Sequence, residues 1–233
     1  MAVSIDTVYQ RVLGIINKEQ RGYITPQEFN LLANQAQMDI FEQYFYDLNA
    51  FKRQGGNDST YSDMVDIINE KIDIFEKYRT TVNMTTEAVG ALPSYYRMGE
   101  LYYLHSGGYV EVEKIQQNEI HHIQNSPLTA PTLARPVYVN TSGSAIQIYP
   151  ITIISGVTCN YISKPTTVNW SYTLVNDYPL YNSTNSVNFS LHDSEETDLV
   201  IKILALSGVI LNDPNAYQLA SAEDAKNQQQ ENK

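Results

Sequence analysis

The sequence is poor in cysteine, in tryptophan and in charge. One cysteine, Cys159, excludes an internal disulfide. Met1-Ala2-Val3-Ser4 offers neither the basic flank nor the apolar core of a signal peptide, so the expected compartment is a reducing one. No apolar run approaches the roughly 18 residues of a membrane span. Basic side chains are scarce: 15 Lys and Arg stand against 26 Asp and Glu, a formal charge of −11. That balance argues against nucleic-acid binding as the main role, because phosphate neutralisation needs clustered Lys and Arg. Charged residues make up 18% of the chain and hydrophobic ones 42%, a globular composition. At 233 residues the chain can form one large domain or two small ones, each with a core. Tyrosine is abundant, at 18 of 25 aromatic residues, and suits surfaces that are half buried and half wet.

The spacing predicts helices at both ends. Ile5, Val8, Tyr9, Val12, Leu13 and Ile16 share one helical face, with Ser4 or Asp6 available as a cap, and this helix should stop before Gly22. Thr25-Pro26-Gln27-Glu28 combines an N-cap, proline at the first helical position and a capping-box glutamate. The helix it starts carries Phe29, Leu32, Ala33, Ala36 and Ile40 on one face and Leu31, Met38, Phe41 and Phe45 on the next, a stripe wide enough to be buried on more than one side. After the loop Gln54-Gly55-Gly56-Asn57-Asp58, a third helix is expected from about Tyr61 to Arg79. A last one follows the Asp193-Ser194-Glu195-Glu196 start through Leu199, Ile203, Leu206, Ser207 and Ile210 to Asn212-Asp213-Pro214.

Between these ends the pattern changes to alternation. Tyr102-Tyr103-Leu104 and Tyr109-Val110-Glu111-Val112 flank the turn His105-Ser106-Gly107-Gly108, and a second hairpin is expected where Val137-Tyr138-Val139 and Ile146-Gln147-Ile148 bracket Asn140 to Ser144. Further strands read at Ile151 to Ile154 and Val157 to Ile162. The 57 residues from Pro136 to His192 hold only two charges, Lys164 and Asp177, too few for a fully exposed surface, so part of this stretch should be covered. The expected class is α+β. A bundle is built from residues 1–83 and the C-terminal helix 193–220, a β-rich, sandwich- or barrel-like insertion spans 84–192, and 221–233 forms a flexible tail.

Chemistry finds little purchase. Asn17 to Glu28 has the spacing of a calcium loop, with Gly22, Ile24 and Glu28 in the right places, but Asn17 and Arg21 stand where oxygen donors belong, and the capping box already accounts for Glu28. His121-His122, read on a strand, would point to opposite faces, and neither His105 nor His192 has an evident partner. Cys159 sits in an alternating strand where a buried thiol is inert. Pairs such as Glu111 and Glu113, or Glu195 and Glu196, are accounted for by a strand face and a helix start. No phosphate-binding glycine loop and no nucleophile elbow occur. The expectation is a protein that is not an enzyme, with no catalytic residue, metal ligand or cofactor. The candidate interface residues are Tyr138, Tyr149, Tyr161, Trp170, Tyr172, Tyr178 and Tyr181, from the charge-poor stretch.

Several strings together carry a resemblance: Ile24-Thr25-Pro26-Gln27-Glu28-Phe29-Asn30, Pro136-Val137-Tyr138, Ile148-Tyr149-Pro150, Tyr161-Ile162-Ser163-Lys164-Pro165 followed by Trp170, and Leu199 through Val209 with the Gln-rich tail. Over nearly the whole chain this set resembles virion structural proteins of short-tailed bacteriophages, namely head-to-tail connector or tail ring proteins of crAss-like and related marine phages. The resemblance implies a subunit made in the bacterial host cytoplasm and carried in the virion tail. It would form a dodecameric ring below the portal protein, contact other tail ring or hub proteins, extend the DNA channel without binding DNA specifically, and touch no membrane. It also implies that the terminal extension, here Ser221 to Lys233, docks on a neighbour. An acidic bore would let the duplex slide; Asp63, Asp66 and Glu70 lie on a polar helix face that fits such a bore and a solvated outer surface equally well. Two rivals are a peripheral tail component, a fibre or carbohydrate-binding module acting in host recognition, and a cell-wall hydrolase, for which no acid, base or metal set is visible.

Overall fold

A computed structural model describes residues 2–18, 24–54, 59–176 and 178–210, together with Ala222 and Ala225. In chain order the helices are α1 (Ile5–Lys18), α2 (Pro26–Gln54), α3 (Ser59–Asp73), α4 (Ile120–Asn125) and α5 (Glu196–Ile210), with a 3-10 turn at Asp193–Glu195. The strands are β1 (Glu76–Thr81), β2 (Asn83–Met84), β3 (Val89–Ala91), β4 (Arg97–His105), β5 (Gly108–Lys114), β6 (Val137–Ser142), β7 (Ala145–Tyr149), β8 (Val157–Ile162), β9 (Tyr172–Val175) and β10 (Tyr178–Tyr181). The class is α+β as expected, with helices at both ends. The chain divides into two compact units, Met1–Ile74 with Pro165–Lys233, and Phe75–Lys164. The first is helical and the second strand-rich.

In the helical unit α5 packs on α1 and α2, and α3 packs on α2. Their buried faces follow the sequence periods: Ile5, Val8, Tyr9, Val12 and Ile16 on α1, Phe29, Leu32, Ala33, Ala36, Ile40, Phe41 and Phe45 on α2, and Leu199 and Ile203 on α5. Leu31, expected on the second buried face of α2, points outward and is 73% exposed. Ser4 is the α1 cap, its hydroxyl accepting from the Thr7 amide and its carbonyl from the Val8 amide, while Asp6 is engaged elsewhere. The capping box at α2 forms in both directions, Thr25 N–H to Glu28 Oε2 at 2.9 Å and Glu28 N–H to Thr25 Oγ1 at 3.3 Å. These bonds from Thr25 hold the Glu28 carboxyl below the usual carboxylate range.

Charge inside this unit is paired. Lys71 Nζ meets Glu195 Oε1 at 2.7 Å and lies 5.7 Å from the centre of the Tyr44 ring, and Arg11 meets Glu196 at 2.9 Å. Burial pushes the Asp47 carboxyl up, and a hydrogen bond from Gln43 and the charges of Lys71 and Lys202 offset it only in part. A raised folded-state value means that the contribution of Asp47 to stability is full below the unfolded pKa and is lost as pH rises through the folded one. Asp47→Asn, which does not ionise, is therefore expected to melt above the parent at pH 7, with the gap closing as pH falls from the raised folded value to the unfolded one of about 3.9. Melting curves across that range check it, and a lower melting point at pH 7 would contradict it.

The strand-rich unit is an eight-stranded sheet in the order β1-β8-β4-β5-β6-β7-β3-β2. Its two edge strands are joined through Val82 alone, so the sheet curls until its edges nearly meet. Val82 donates to the Val157 carbonyl at that corner. All neighbours are antiparallel except β5 and β6, whose parallel pairing uses residues 115–136, with α4, as the crossover. Alternate residues fill the interior: Leu101, Val112, Ile146, Ile148, Val157 and Cys159. On the other face of β6, Val137 and Val139 pack with Ile120 of α4. The His105 to Gly108 turn is a two-residue hairpin loop with Ser106 at φ 51° and Gly107 at φ 84°, as a type I′ turn requires. At Gly90 there is no room for a side chain, since a Cβ there would lie 2.8 Å from both Met84 Sδ and Val82 Cγ1. Gly90→Val should cost about 1–3 kcal/mol by overpacking, read as a shifted urea midpoint with an unchanged slope.

Several expectations need correction. α3 stops at Asp73, and Glu76–Thr81 is a strand, because antiparallel pairing with β8 gives this stretch a ladder that a longer helix would forgo. Ile151 to Ile154 is a turn closed by the Ile153 amide on the Pro150 carbonyl, with only Ile153 buried among its isoleucines. His121 and His122 lie on α4, both exposed. The insertion runs from Phe75 to Lys164 and not 84–192, because side chains of α2 bind the backbone beyond Pro165. The link Glu19 to Tyr23, Gly55 to Asp58, the Asp63 side chain, Asn212-Asp213-Pro214 and the tail apart from Ala222 and Ala225 lie outside the described residues.

Candidate interaction surface

Residues 165–191 belong with the helices because α2 holds them through side-chain amides. Asn30, Asn34 and Gln37 stand at helical spacing on α2. Asn34 Oδ1 accepts from the Val168 amide at 2.9 Å and its Nδ2 donates to the Val168 carbonyl at 3.0 Å. Asn30 does the same for Trp170, at 2.7 and 3.2 Å. Gln37 donates to the Thr166 carbonyl at 2.9 Å and accepts from the Ser190 amide at 3.0 Å. Four residues of helix advance about 6 Å and two residues of strand about 6.7 Å. The amides thus fall in register with alternate residues of an extended segment running antiparallel to α2, and act toward it as a neighbouring strand would. The chain returns alongside, Asn169 pairing with Val187, and Val168, Trp170, Phe189 and Leu191 are buried.

Trp170 is the anchor. Its indole is 2% exposed, its Nε1 donates to Asp6 Oδ1 at 3.0 Å, and its ring centre lies 4.1 Å from that of Tyr9. The hairpin β9–β10 begins immediately after it and is not part of the eight-stranded sheet. Tyr172 and Tyr181, opposite each other in the hairpin, lie over the Trp170 ring at 5.9 and 5.8 Å. The other face carries Thr173, Val175, Tyr178 and Leu180, of which Tyr178 is 77% and Leu180 60% exposed. A two-stranded hairpin is marginal in water, and this one presents a contiguous apolar face.

The seven candidate interface residues therefore separate. Tyr172, Tyr178 and Tyr181 are on the hairpin, and only Tyr178 offers most of its ring outward. Trp170 is a core residue of the helical unit and Tyr138 a core residue of the strand-rich one, so neither is available to a partner; the aromatic type alone did not distinguish core from surface. Tyr149 and Tyr161 are partly buried against the strand-rich core. The amide set was missed although its signal is in the sequence, as three amide side chains at positions i, i+4 and i+7 beside an apolar stripe.

The strand-rich unit has its own cleft of about 300 Å³, lined by residues that include Glu76, Tyr78, Arg97, Asn160 and Tyr161. Asn160 of β8 faces two residues on each neighbour, Tyr78 and Arg79 on β1 and Gly99 and Glu100 on β4, and these two bulges open the cleft. Asn160 Oδ1 accepts from the Arg79 amide at 2.9 Å, where Arg79 has a φ of 51°, and a Cβ at position 99 would lie 2.9 Å from the Asn160 carbonyl oxygen. Burial pushes the Cys159 thiol up, which keeps it protonated. His192 Nδ1 accepts from the Ser194 amide and serves as a cap. Among the described residues no group of three or more His, Cys, Asp or Glu could hold a metal ion, and no helix is long and apolar enough to cross a membrane.

Charge is divided unevenly. The strand-rich unit carries six acidic and six basic side chains, so the whole −11 belongs to the other, with 20 acidic against 9 basic. No protein-family model matches the chain, and no curated protein matches it.

Proposed function

We propose that this chain is a virion structural protein of a short-tailed bacteriophage, a head-to-tail connector or ring subunit that assembles as a dodecamer below the portal and extends the DNA channel. The observation that carries the proposal is the hairpin, whose exposed apolar face of Val175, Tyr178 and Leu180 is backed on the opposite face by Trp170 and has the composition of a subunit contact. The charge division supports it as well. A helical unit that carries all the net negative charge, with Asp66 and Glu70 exposed on α3, suits a bore that repels phosphate. The test is negative-stain imaging and mass photometry of the purified chain with portal protein. Rings or portal caps are expected, and Leu180→Asp should abolish them while leaving the far-UV spectrum unchanged. A chain that stays monomeric beside the portal counts against the proposal.

A second reading, a peripheral tail module that binds carbohydrate, is favoured by the cleft of the strand-rich unit, where the exposed Tyr78 ring, with the Arg79 guanidinium 4.9 Å from its centre, stands beside Glu76, Arg97 and Asn160, an aromatic surface next to hydrogen-bonding groups. Glycan binding lost in Tyr78→Ala, without assembly on the portal, would favour it.

A further inference from the structure

The hairpin has two outer edges, and they are not equivalent. The bond from the Asn182 amide to the Ser171 carbonyl fixes the alternation: Ser171 with Asn182, Thr173 with Leu180 and Val175 with Tyr178 are the hydrogen-bonded pairs. Tyr172 and Leu174 on β9, and Pro179 and Tyr181 on β10, therefore turn their backbone groups outward. At the β10 edge Pro179 has no N–H to offer, which blunts it. At the β9 edge Tyr172 and Leu174 both present an N–H and a C=O, and neither finds a backbone partner among the described residues.

That edge is its own complement. Two copies of Tyr172-Thr173-Leu174 laid antiparallel about a two-fold axis through Thr173 pair the outward groups of each Tyr172 with those of the other Leu174, forming four backbone hydrogen bonds. Side chains agree with this register: Thr173 falls opposite Thr173 and Tyr172 opposite Leu174, both favourable cross-strand pairs, and no charge meets a like charge. We propose that the β9 edge is a self-association site, at which a second copy of this chain completes a four-stranded sheet β10-β9-β9-β10. Pairing closes at two because the outer strands of that sheet are the proline-blunted ones. A contact made by three residues of one strand edge falls well short of the about 800 Å² per partner of a standard complex, so it is weak and concentration-dependent. It leaves the Val175, Tyr178 and Leu180 face uncovered, so it goes beyond the ring reading, and either can fail without the other.

Geometry supplies the test. A non-hydrogen-bonded antiparallel pair places Cα atoms about 4.5 Å apart, within disulfide reach, whereas two Val175 residues would be more than about 10 Å apart in this register. In the full chain, Thr173→Cys under mild oxidation is expected to give a disulfide-linked dimer as the main species on a non-reducing gel, and Val175→Cys and the parent with its buried Cys159 are expected to stay monomeric. Adding Leu174→Pro, which removes an outward N–H and no bond of the hairpin itself, should reduce the Thr173→Cys dimer at least tenfold, with unchanged Trp170 fluorescence showing that the chain is folded. Absence of the Thr173→Cys dimer, equal crosslinking at position 175, or crosslinking that survives Leu174→Pro would each overturn the proposal.

Discussion

Trp170→Ala is expected to destabilise the helical unit by about 3–5 kcal/mol, the cost of removing a fully buried large aromatic side chain. The consequences extend beyond the cavity. The indole packs against Tyr9 of α1 and against Tyr172 and Tyr181 of the hairpin. Without it the hairpin loses the platform on which two of its tyrosines rest, and Asp6 loses the Nε1–H it accepts from. At roughly 2–4 °C per kcal/mol for a chain of this size, the melting temperature should fall by about 6–20 °C. Trp170→Phe separates the contributions, since it keeps an aromatic ring near Tyr9 and removes only the indole donor and some volume, and should cost much less. Because Trp170 is the chain's one tryptophan, the parent's fluorescence reports this region directly. A change below about 2 °C in Trp170→Ala would mean that the extended segment is held without its anchor.

How much of this was legible in the sequence follows from the distance over which each feature is determined. The capping box at Thr25 and Glu28 and the Ser106-Gly107 turn are local chemistry, complete within four residues, and they formed as read. The apolar faces of α1 and α5 were equally plain, because a 3.6-residue period needs no knowledge of the partner. Glu76 to Arg79 read as helix because the strand partner β8 lies some 80 positions on, as the bond between Arg79 and Asn160 illustrates with a separation of 81. Residues 165–192 were assigned to the insertion because they share its uncharged composition. Their attachment to α2 rests on pairs such as Asn34 and Val168, 134 positions apart. An amide on a helix reads as a solvated face until the backbone that it binds is known. The same holds for the aromatic residues: Tyr178 and Trp170 are eight positions apart in one uncharged stretch, yet one is mostly exposed and the other buried.

The amide set yields the second large effect. Asn34→Ala removes both partners of the Val168 backbone, and Val168 is 1% exposed, so water cannot replace them without the segment lifting. An unsatisfied buried donor or acceptor costs about 1–3 kcal/mol, which puts the pair at about 2–6 kcal/mol. The greater helix propensity of alanine returns at most about 0.7 kcal/mol. Asn34→Asp discriminates the mechanism from simple loss of packing: the carboxylate still accepts from the Val168 amide but faces the Val168 carbonyl with no donor, so at pH 7 it should be destabilised although its volume is nearly unchanged. Amide hydrogen exchange gives a local readout, because the Val168 N–H should be strongly protected in the parent and exchange at least tenfold faster in Asn34→Ala, while the interior amides of β8 in the other unit are unaffected. Gln37→Ala should behave similarly at Ser190, the residue through which the returning chain is fastened to the same helix. If Asn34→Ala loses less than about 0.5 kcal/mol and Val168 stays protected, the extended segment is held by Trp170 and its apolar neighbours, and the amides only follow its backbone. If both change together, α2 acts as a strand-like edge made of side chains, and the position of the hairpin is set by three amide residues on a helix.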